Sequence, residues 1–334
     1  MTTREVRIGV IGAGYWGANL VRNCAEMGVL AAVCDSDSSV CQRLAAKFPA
    51  LSLFRTVEAL LASDVNAVLV AAPAQLHATI ALQAIAAGKH VFVEKPLALT
   101  VPEGEQVVAA AANANVQLFV GHLMLYHPAV ARLRQVIAQG TIGDVWHIRT
   151  RRTSFGKLRA HENAWWSFAP HDIALMLAIT GSEPHSASAS QSFSQPPHPS
   201  DIGYADFEFP DGKTAHVEVS WRDPHKTARI DVFGSRGVMT LEDTRDGSLL
   251  YLVPCGANES TGGSPRTLWR EEMQQFTVPK SEPLRRELEA FVESVRHGST
   301  PETDGKEGLA VLRALALAER AALHVPGFTI AVPR

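Results

Sequence analysis

The chain has 334 residues, of which 46% are hydrophobic and 19% charged. A chain of this length and composition is expected to form two globular domains, which excludes an intrinsically disordered protein. Its 31 basic and 34 acidic side chains nearly balance and form no run of like charge, so we expect neither a nucleic-acid nor a membrane partner.

The cysteines and the apolar segments indicate the cellular location. The four cysteines form no CxxC pair, which is typical of reduced thiols. The N-terminal residues lack the apolar core and cleavage site of a secretory signal, and no apolar segment reaches the roughly 18 residues that span a bilayer. We therefore expect a soluble, cytoplasmic protein.

The first 121 residues alternate short apolar runs with segments of helical length. This alternation predicts an α/β domain over residues 1–121, with a parallel sheet whose crossover helices cover both faces. The predicted strands lie at 6–11, 30–35, 66–73, 90–96 and 116–121, and the predicted helices near 15–27, 37–47, 76–87 and 102–114.

The pattern changes after Gly121. Period-two alternation over several consecutive segments predicts an α+β domain over residues 122–334, with a mainly antiparallel sheet that has one open face. Its strands are predicted at 145–152, 186–193, 204–209, 215–221, 228–234, 238–243 and 249–253, and its helices near 128–139, 170–180, 282–297 and 304–323, the last capped by Thr303 or Asp304.

A glycine-rich turn joins the first predicted strand to the first predicted helix. Gly12, Gly14 and Gly17 stand in GxGxxG spacing. The first glycine permits a tight turn, the second lets the backbone approach a pyrophosphate, and the third allows the helix to pack closely on the strand. The sequence therefore predicts a dinucleotide-binding Rossmann domain.

Asp35 ends the second strand about 20 residues after this turn, where a carboxylate can hold the ribose hydroxyls of adenosine. Neither Ser36 nor Asp37 supplies a cation for a 2′-phosphate, so the cofactor is predicted to be NAD. The alternative is a glycine turn without a ligand and an aspartate on the surface.

Glu94, Lys95 and Pro96 follow the strand at 90–96. Ligands of doubly wound sheets bind outside the carboxyl ends of the strands, so this charged pair is expected to face the cofactor. The alternative is a solvated surface lysine.

The segments GKHVFVEKPLALT, AAPAQLHATIALQAIAAGKH and VGHLMLYHPAV, together with the glycine turn, resemble the Gfo/Idh/MocA family of NAD(P)-dependent oxidoreductases over essentially the whole chain. The resemblance implies that Lys95 lies beside the nicotinamide and the reacting hydroxyl, and Glu94 near the nicotinamide ribose. Many members have Thr at the position of Ala72. The cofactor-binding residues implied in this way or by the glycine turn are Gly12, Gly14, Tyr15, Trp16, Gly17, Asp35, Ala72, Pro73, His77, Glu94 and Lys95.

The segment WWSFAPHDIALM matches a second catalytic element of the family. The resemblance implies that His171 is the general base, and Lys95 and His171 are the predicted catalytic residues. Members usually carry Asp four residues before this histidine, where this chain has Ser167. Asp172 does not replace it, because consecutive helical residues do not share a face. The alternative is a histidine that forms local hydrogen bonds at the start of a helix.

Within the family the chain most resembles bacterial UDP-N-acetylglucosamine 3-dehydrogenases and their uronic-acid relatives. Positive charge is concentrated before the predicted catalytic helix, where it could hold a diphosphate; it comes from Arg149, Arg151, Arg152, Lys157 and Arg159. The alternative is that these arginines lie on a solvated strand edge and that Trp165 and Trp166 pack in the core.

The predicted substrate-binding residues are Lys95, His122, Tyr126, Arg152, Arg159, Asn163, Trp166 and His171. No metal is predicted, since the spacing of His122 and His127 suits neither a helix face nor a strand face.

The resemblance implies NAD-dependent oxidation of the C3 hydroxyl of a UDP-sugar, within lipid A or polysaccharide biosynthesis. Two alternatives remain at this point: an enzyme acting on UDP-N-acetylglucosaminuronic acid, another sugar or inositol, and a protein that senses the NAD redox state without turnover. Family members commonly form dimers or tetramers through the open sheet face, so a homodimer or homotetramer is expected.

Overall fold

The computed structural model describes residues 5–156, 158, 162–193, 199–244, 247–258 and 266–323. These residues form two compact units. The first contains the described residues up to Leu123 together with Glu282–Arg313, and the second contains those of Met124–Ser281 and those from Ala314 onward. The predicted division at residue 121 assigns the whole C-terminal segment to the second domain, whereas residues 282–313 pack with the first unit.

The first unit is built on a six-stranded parallel sheet with the order β3-β2-β1-β4-β5-β6. The strand order reverses between β1 and β4, which is where ligands of doubly wound sheets bind. The strands are β1 Ile8–Ile11, β2 Leu30–Cys34, β3 Ser52–Phe54, β4 Ala67–Val70, β5 His90–Glu94 and β6 Leu118–Gly121.

Seven α-helices begin in the part of this unit that the structure describes. Side-chain caps fix several of their N-termini: Thr100 and Glu103 form a reciprocal capping box, Asp37 caps another helix, and Asp304 accepts hydrogen bonds from the amides of the last one. The helices are α1 Gly17–Glu26, α2 Ser38–Lys47, α3 Val57–Leu61, α4 His77–Ala86, α5 Val101–Ala114, α8 Pro283–His297 and α9 Gly305–Leu323. The sequence prediction missed β3 and α3, because elements of three and five residues carry little periodic signal.

Helix α8 covers one face of the sheet through an aromatic cluster. Phe291 lies edge-on to Phe92 and Phe119, with centroids 5.8 and 5.7 Å apart. Phe92 and Phe119 are register partners on β5 and β6 and stack on each other. All three rings are fully buried, so this cluster fixes α8 against the two strands.

The second unit is built on a nine-stranded sheet with the order β14-β13-β12-β11-β7-β10-β9-β8, in which β15 also pairs with β13. Among the described strands of this sheet, only β7 and β10 pair in parallel, so the predicted mainly antiparallel sheet is confirmed. The strands are β7 Val145–Phe155, β8 Ser186–Ser192, β9 Ile202–Glu208, β10 Thr214–Ser220, β11 Arg222–Gly234, β12 Gly237–Thr244, β13 Gly247–Ala257, β14 Leu268–Arg270 and β15 Gln274–Phe276.

Two helices pack on this sheet: α6 Pro128–Ala138 contacts β12 and β13, and α7 Ala164–Thr180 contacts β7, β9 and β10. Helix α7 begins at Ala164 rather than near residue 170, and it continues through Pro170. Asn163 accepts a hydrogen bond from the amide of Trp166 and caps this earlier start. None of the helices in the described residues is long and apolar enough to cross a membrane.

Candidate active site

The glycine turn between β1 and α1 has the geometry of a phosphate cradle. Gly12 has a φ of +88°, and a Cβ there would lie 2.7 Å from the carbonyl oxygen of Ala71. A Cβ on Gly17 would lie 2.0 Å from the carbonyl oxygen of Gly12, whereas a Cβ on Gly14 would meet no atom within 4 Å. Gly12 and Gly17 are therefore required by packing, while Gly14 borders open space at the N-terminus of α1.

Asp35 stands at the carboxyl end of β2, next to this turn. Its carboxylate accepts hydrogen bonds of 2.8 Å from the amides of Ala13 and Asp37. These contacts hold the side chain between the glycine turn and the start of α2. Arg55 binds the carbonyl oxygen of Ser36 near this carboxylate, a neighbouring cation that the sequence prediction did not consider.

His77 connects the loops that follow β4 and β5. Its Nδ1 lies 2.7 Å from the carbonyl oxygen of Pro96, and its Nε2 lies 2.8 Å from that of Ala72. The ring is 2% exposed. The structure therefore places His77 as a bridge that holds Ala72 and Pro73 beside the turn carrying Lys95.

Glu94 and Lys95 lie at the carboxyl end of β5. Glu94 is 6% exposed and accepts a hydrogen bond of 2.5 Å from Nε1 of Trp16, the residue that precedes α1. Burial raises the pKa of the Glu94 carboxyl, although Trp16, Lys95 and His122 act in the opposite direction. The fold thus brings the Glu94–Lys95 turn to the glycine loop. Lys95 itself is partly buried, and Tyr15 is almost fully exposed.

His122 follows β6 and is buried, with its Nδ1 2.7 Å from a carboxylate oxygen of Glu307 on α9. His127 accepts a hydrogen bond from the amide of Ala129 and caps α6, and its Nε2 lies 3.1 Å from the Ser248 hydroxyl. Both histidines are therefore held by protein groups. Tyr126 lies in a short 3₁₀ turn just before His127. No cluster that could hold a metal occurs among the described residues.

The predicted base His171 lies on α7 in the second unit and is partly buried. Ser167 is buried one turn earlier on the same helix. The two tryptophans at the start of α7 are buried as well: Nε1 of Trp165 donates to the carbonyl oxygen of Leu315, and Nε1 of Trp166 donates to Glu319. These contacts agree with the alternative in which the tryptophans pack in the core.

The described arginines of the predicted basic cluster each pair with a carboxylate. Arg152 binds Asp172 through two hydrogen bonds of 2.9 Å, and only 2% of Asp172 is exposed. Arg149 lies 2.7 Å from Asp231, and Arg151 lies 2.8 Å from Asp223. Their positive charge is thus largely compensated within the second unit. Lys157 and Arg159 lie outside the described residues.

Two family models match consecutive parts of the chain. One, described as the oxidoreductase family with an NAD-binding Rossmann fold, matches residues 6–122. The other, described as the GFO/IDH/MocA C-terminal domain, matches residues 130–240. The chain belongs to the Gfo/Idh/MocA family. The resemblance inferred from the glycine turn and the Glu-Lys-Pro segment is confirmed.

Several named proteins are similar to this Gfo/Idh/MocA chain. The structure of UDP-N-acetylglucosamine 3-dehydrogenase GnnA from Acidithiobacillus ferrooxidans superposes with a TM-score of 0.83 at 26% identity, covering 96% of this chain and 99% of GnnA. GenD2 from gentamicin A biosynthesis, solved in complex with NAD, gives a TM-score of 0.81 at 26% identity, covering 97% and 96%.

The sequence relatives point to more than one substrate class. Inositol 2-dehydrogenase from Rhizobium meliloti is 27% identical over 96% of this chain and 97% of its own length. The chain spans about half the length, 41% to 61%, of the first curated relatives that it matches.

The geometry of this Gfo/Idh/MocA chain fits NAD, and the predicted cofactor is confirmed. The open space at Gly14 can accept a pyrophosphate at the N-terminus of α1, and Asp35 can hold the adenosine ribose. In doubly wound sheets the two halves of the sheet bind the two halves of the dinucleotide. This rule predicts the nicotinamide half on the side of β4 and β5, where Lys95 stands.

Sequence reasoning missed Glu287, Glu307 and Glu319, and it did not predict that Asp172 would pair with Arg152. Most had no local signal, because their partners are distant in sequence. Glu287 did have one: it is a charged residue on the apolar face of α8, between Leu284 and Leu288 and one turn before Phe291. A charge on a buried helix face is unusual enough to mark a candidate.

Proposed function

We propose that this chain oxidises the C3 hydroxyl of a UDP-sugar with NAD, converting UDP-N-acetylglucosamine to its 3-keto form. The observation that carries the proposal is the position of Lys95 at the carboxyl end of β5, next to a Glu94 that is bonded to the glycine turn. Similarity to GnnA over nearly the full length of both chains supports the choice of substrate.

The proposed roles follow from the chemistry of alcohol oxidation. Bound NAD supplies the acceptor for the hydride that leaves carbon. Lys95, as an ammonium, donates a hydrogen bond to the reacting oxygen and stabilises the negative charge that develops there. His171 accepts the hydroxyl proton as general base, without the aspartate that relatives usually have at the position of Ser167. His77 holds the turn that carries Lys95.

The proposed substrate contacts come from His122, Tyr126, Asn163, Trp166, Arg152 and Arg159, in addition to Lys95 and His171. Arg152 would have to contact the diphosphate while it keeps its hydrogen bonds to Asp172. Asn163 would have to use its side-chain nitrogen, because its side-chain oxygen caps α7. His122 and Trp166 each already bind a glutamate, Glu307 and Glu319 respectively, so any role in binding would rely on their other atoms or on ring faces.

A second candidate substrate is inositol. Inositol 2-dehydrogenase matches over almost the whole of both chains, which the UDP-sugar proposal alone does not explain. The pairing of Arg149, Arg151 and Arg152 with carboxylates also favours a substrate without a diphosphate.

The test is a panel of NAD reduction assays with UDP-N-acetylglucosamine, its uronic acid, myo-inositol and glucose. The proposal predicts the highest kcat/KM with UDP-N-acetylglucosamine. A preference for inositol would establish the second candidate. NAD binding without turnover on any of the four would support the sensor alternative instead.

We also propose that the chain forms a homodimer or homotetramer through the open sheet face of the second unit. Trp146 and Tyr204 are exposed by 55% and 37% within that sheet, which supports an interface. Light scattering of the purified protein tests this. A dimer or tetramer that a Trp146→Asp substitution dissociates is expected, and a wild-type monomer would contradict the proposal.

A further inference from the structure

Two buried glutamates, Glu94 and Glu287, belong to the first unit. Glu287 on α8 is 0% exposed, and neither of its carboxylate oxygens has a hydrogen-bond partner among the described residues. An isolated carboxylate in such a position would cost several kcal/mol, so it is expected to carry a proton.

The packing of α8 on β5 and β6 indicates where Glu287 lies relative to Glu94. Phe291 packs on Phe92 and Phe119, and two residues further along the same strands the register partners are Glu94 and Gly121. Glu287 lies one helical turn before Phe291 on the same helix face. The Ser294 hydroxyl donates a hydrogen bond to the side-chain oxygen of Gln117 just before β6, so the C-terminal part of α8 lies at the start of this strand. Glu287 therefore lies toward the carboxyl ends of β5 and β6, on the side of Glu94.

Gly121 leaves the space that this arrangement needs. A Cβ at Gly121 would lie 3.0 Å from a carboxylate oxygen of Glu94. Because Gly121 has no side chain, the Glu94 carboxylate can occupy the region between β6 and α8. Burial, followed by the negative charges of Glu94 and Glu307, raises the pKa of Glu287 well above its usual value.

We propose that Glu94 and Glu287, which interact through their charges without a direct hydrogen bond, together carry one proton, and that this proton is coupled to the charge of the nicotinamide ring. Glu94 stands at the edge where the nicotinamide half binds. The ring is positively charged in NAD⁺ and neutral in NADH. The oxidised ring favours ionisation of the pair, and the reduced ring favours its proton. Glu287 acts through Glu94 and is therefore a positioning residue, which holds the proton on the pair.

The charge balance of the proposed reaction agrees with this coupling. Oxidation of one hydroxyl to a carbonyl transfers a hydride to the ring and releases one proton. The ring thereby loses its positive charge beside Glu94. Uptake of one proton by the acidic pair restores the local charge. This inference rests on NAD binding and holds whichever sugar or polyol is the substrate.

Other charged groups lie near the two glutamates, and the experiment must distinguish their contribution to the pH dependence from that of the glutamates. Lys95 follows Glu94 on β5, and His122 after β6 binds Glu307 on α9. His122 contacts Glu307, which acts on Glu287, so a His122→Gln variant serves as the control for the coupled proton.

The test measures the Kd of NAD⁺ and of NADH by fluorescence titration between about pH 6 and pH 9, without any sugar. The inference predicts that the ratio of the NAD⁺ Kd to the NADH Kd falls as pH rises, by up to about tenfold per pH unit. Glu287→Gln keeps the shape of the protonated side chain and is expected to make the ratio independent of pH. The exposed Glu289→Gln on the same helix should keep the wild-type dependence.

Three results would overturn the inference: a pH-independent ratio in the wild type, an unchanged slope in Glu287→Gln, or a slope that disappears in His122→Gln but not in Glu287→Gln. Since no sugar is present, failure of the substrate proposal leaves these titrations unaffected. Conversely, flat titrations with active sugar oxidation would reject only the coupled proton.

Stability provides an independent readout. A carboxyl whose pKa is raised in the folded state stabilises the fold fully below its unfolded pKa, and this contribution is lost as pH rises through the folded pKa. The wild type is therefore expected to lose more stability than Glu287→Gln when urea unfolding is compared between about pH 5 and pH 8. An equal loss in both proteins would contradict a proton on Glu287.

Discussion

The glycine turn of the first unit and the β7–α7 region of the second differ in how their polar groups are used. In the glycine turn, Gly14 borders open space and Asp35 is held by backbone amides. In the β7–α7 region, Arg152 binds Asp172 and Trp166 binds Glu319. The glycine turn therefore has space for a ligand, whereas many polar side chains of the β7–α7 region already form hydrogen bonds with other side chains of the protein.

We expect the largest effect, a loss of kcat, from substitution of His171, the residue of the β7–α7 region for which we propose a direct catalytic role. His171→Asn is expected to lower kcat by about a hundredfold to ten-thousandfold, because it removes the proposed general base. NAD affinity should not change. Steady-state NADH formation and an NAD titration check this, with His185→Asn as a control at an exposed histidine. A normal kcat in His171→Asn would contradict the role of general base and would indicate that this residue is structural.

Variants of the Arg152–Asp172 pair show whether Arg152 on β7 stabilises the fold or binds substrate. Arg152→Met leaves Asp172 buried without its partner and is expected to lower the free energy of unfolding by about 3–5 kcal/mol. The double variant Arg152→Met/Asp172→Leu should recover most of this loss, as urea unfolding can show.

The same double variant separates the two roles of Arg152. If the arginine also holds a diphosphate, we expect the double variant, whose stability is restored, to have a higher KM for a UDP-sugar and an unchanged KM for inositol. Equal KM changes for both substrates would mean that the pair only positions the start of α7.

The sequence predicted the conformation of the glycine turn because this conformation depends on spacing within one turn, while the role of its residues in binding stays a prediction. Gly12, Gly14, Gly17 and Asp35 lie where GxGxxG and the following strand require. The alternating apolar segments likewise predicted both sheets, since periodicity reports burial directly.

The partners of the charged side chains could not be predicted in this way. Arg152 and Asp172 are 20 residues apart, and His122 and Glu307 are 185 apart. Whether an arginine is available for a ligand depends on such distant carboxylates. The packing of residues 282–313 with the first unit was also hidden, because helix periodicity does not identify the sheet that a helix covers.

Substitutions at Gly17 and Gly14 are expected to give different results, because packing constrains Gly17 whereas Gly14 borders open space. Gly17→Ala is expected to destabilise the protein by about 3 kcal/mol, since its Cβ would overlap the backbone of Gly12. Gly14→Ala should leave stability within about 0.5 kcal/mol of the wild type but weaken NAD binding. Thermal unfolding and NAD titration of both variants test this. Equal losses of stability would contradict the open space at Gly14.

The smallest predicted effect lies on the sheet of the second unit. Burial alone would raise the pKa of Asp231, but hydrogen bonds from Arg229, Arg149 and Thr240 hold it below the usual value. This carboxylate therefore contributes stability above its unfolded pKa, and the contribution is lost as pH falls through the lower folded pKa.

Asp231→Asn is expected to cost about 2 kcal/mol at neutral pH and progressively less below about pH 4. Urea unfolding across this range measures the change, with Asp64→Asn as an exposed control. A cost that is independent of pH would show that packing, and not charge, is responsible.

The catalytic role of Lys95 is tested by comparing Lys95→Met with the wild type on whichever substrate of the panel the wild type oxidises. We expect an NAD Kd within about threefold of the wild-type value and a kcat reduced by at least about a hundredfold. The exposed Lys47→Met should behave as the wild type. Near-normal turnover in Lys95→Met would contradict the proposed active site at the carboxyl end of β5.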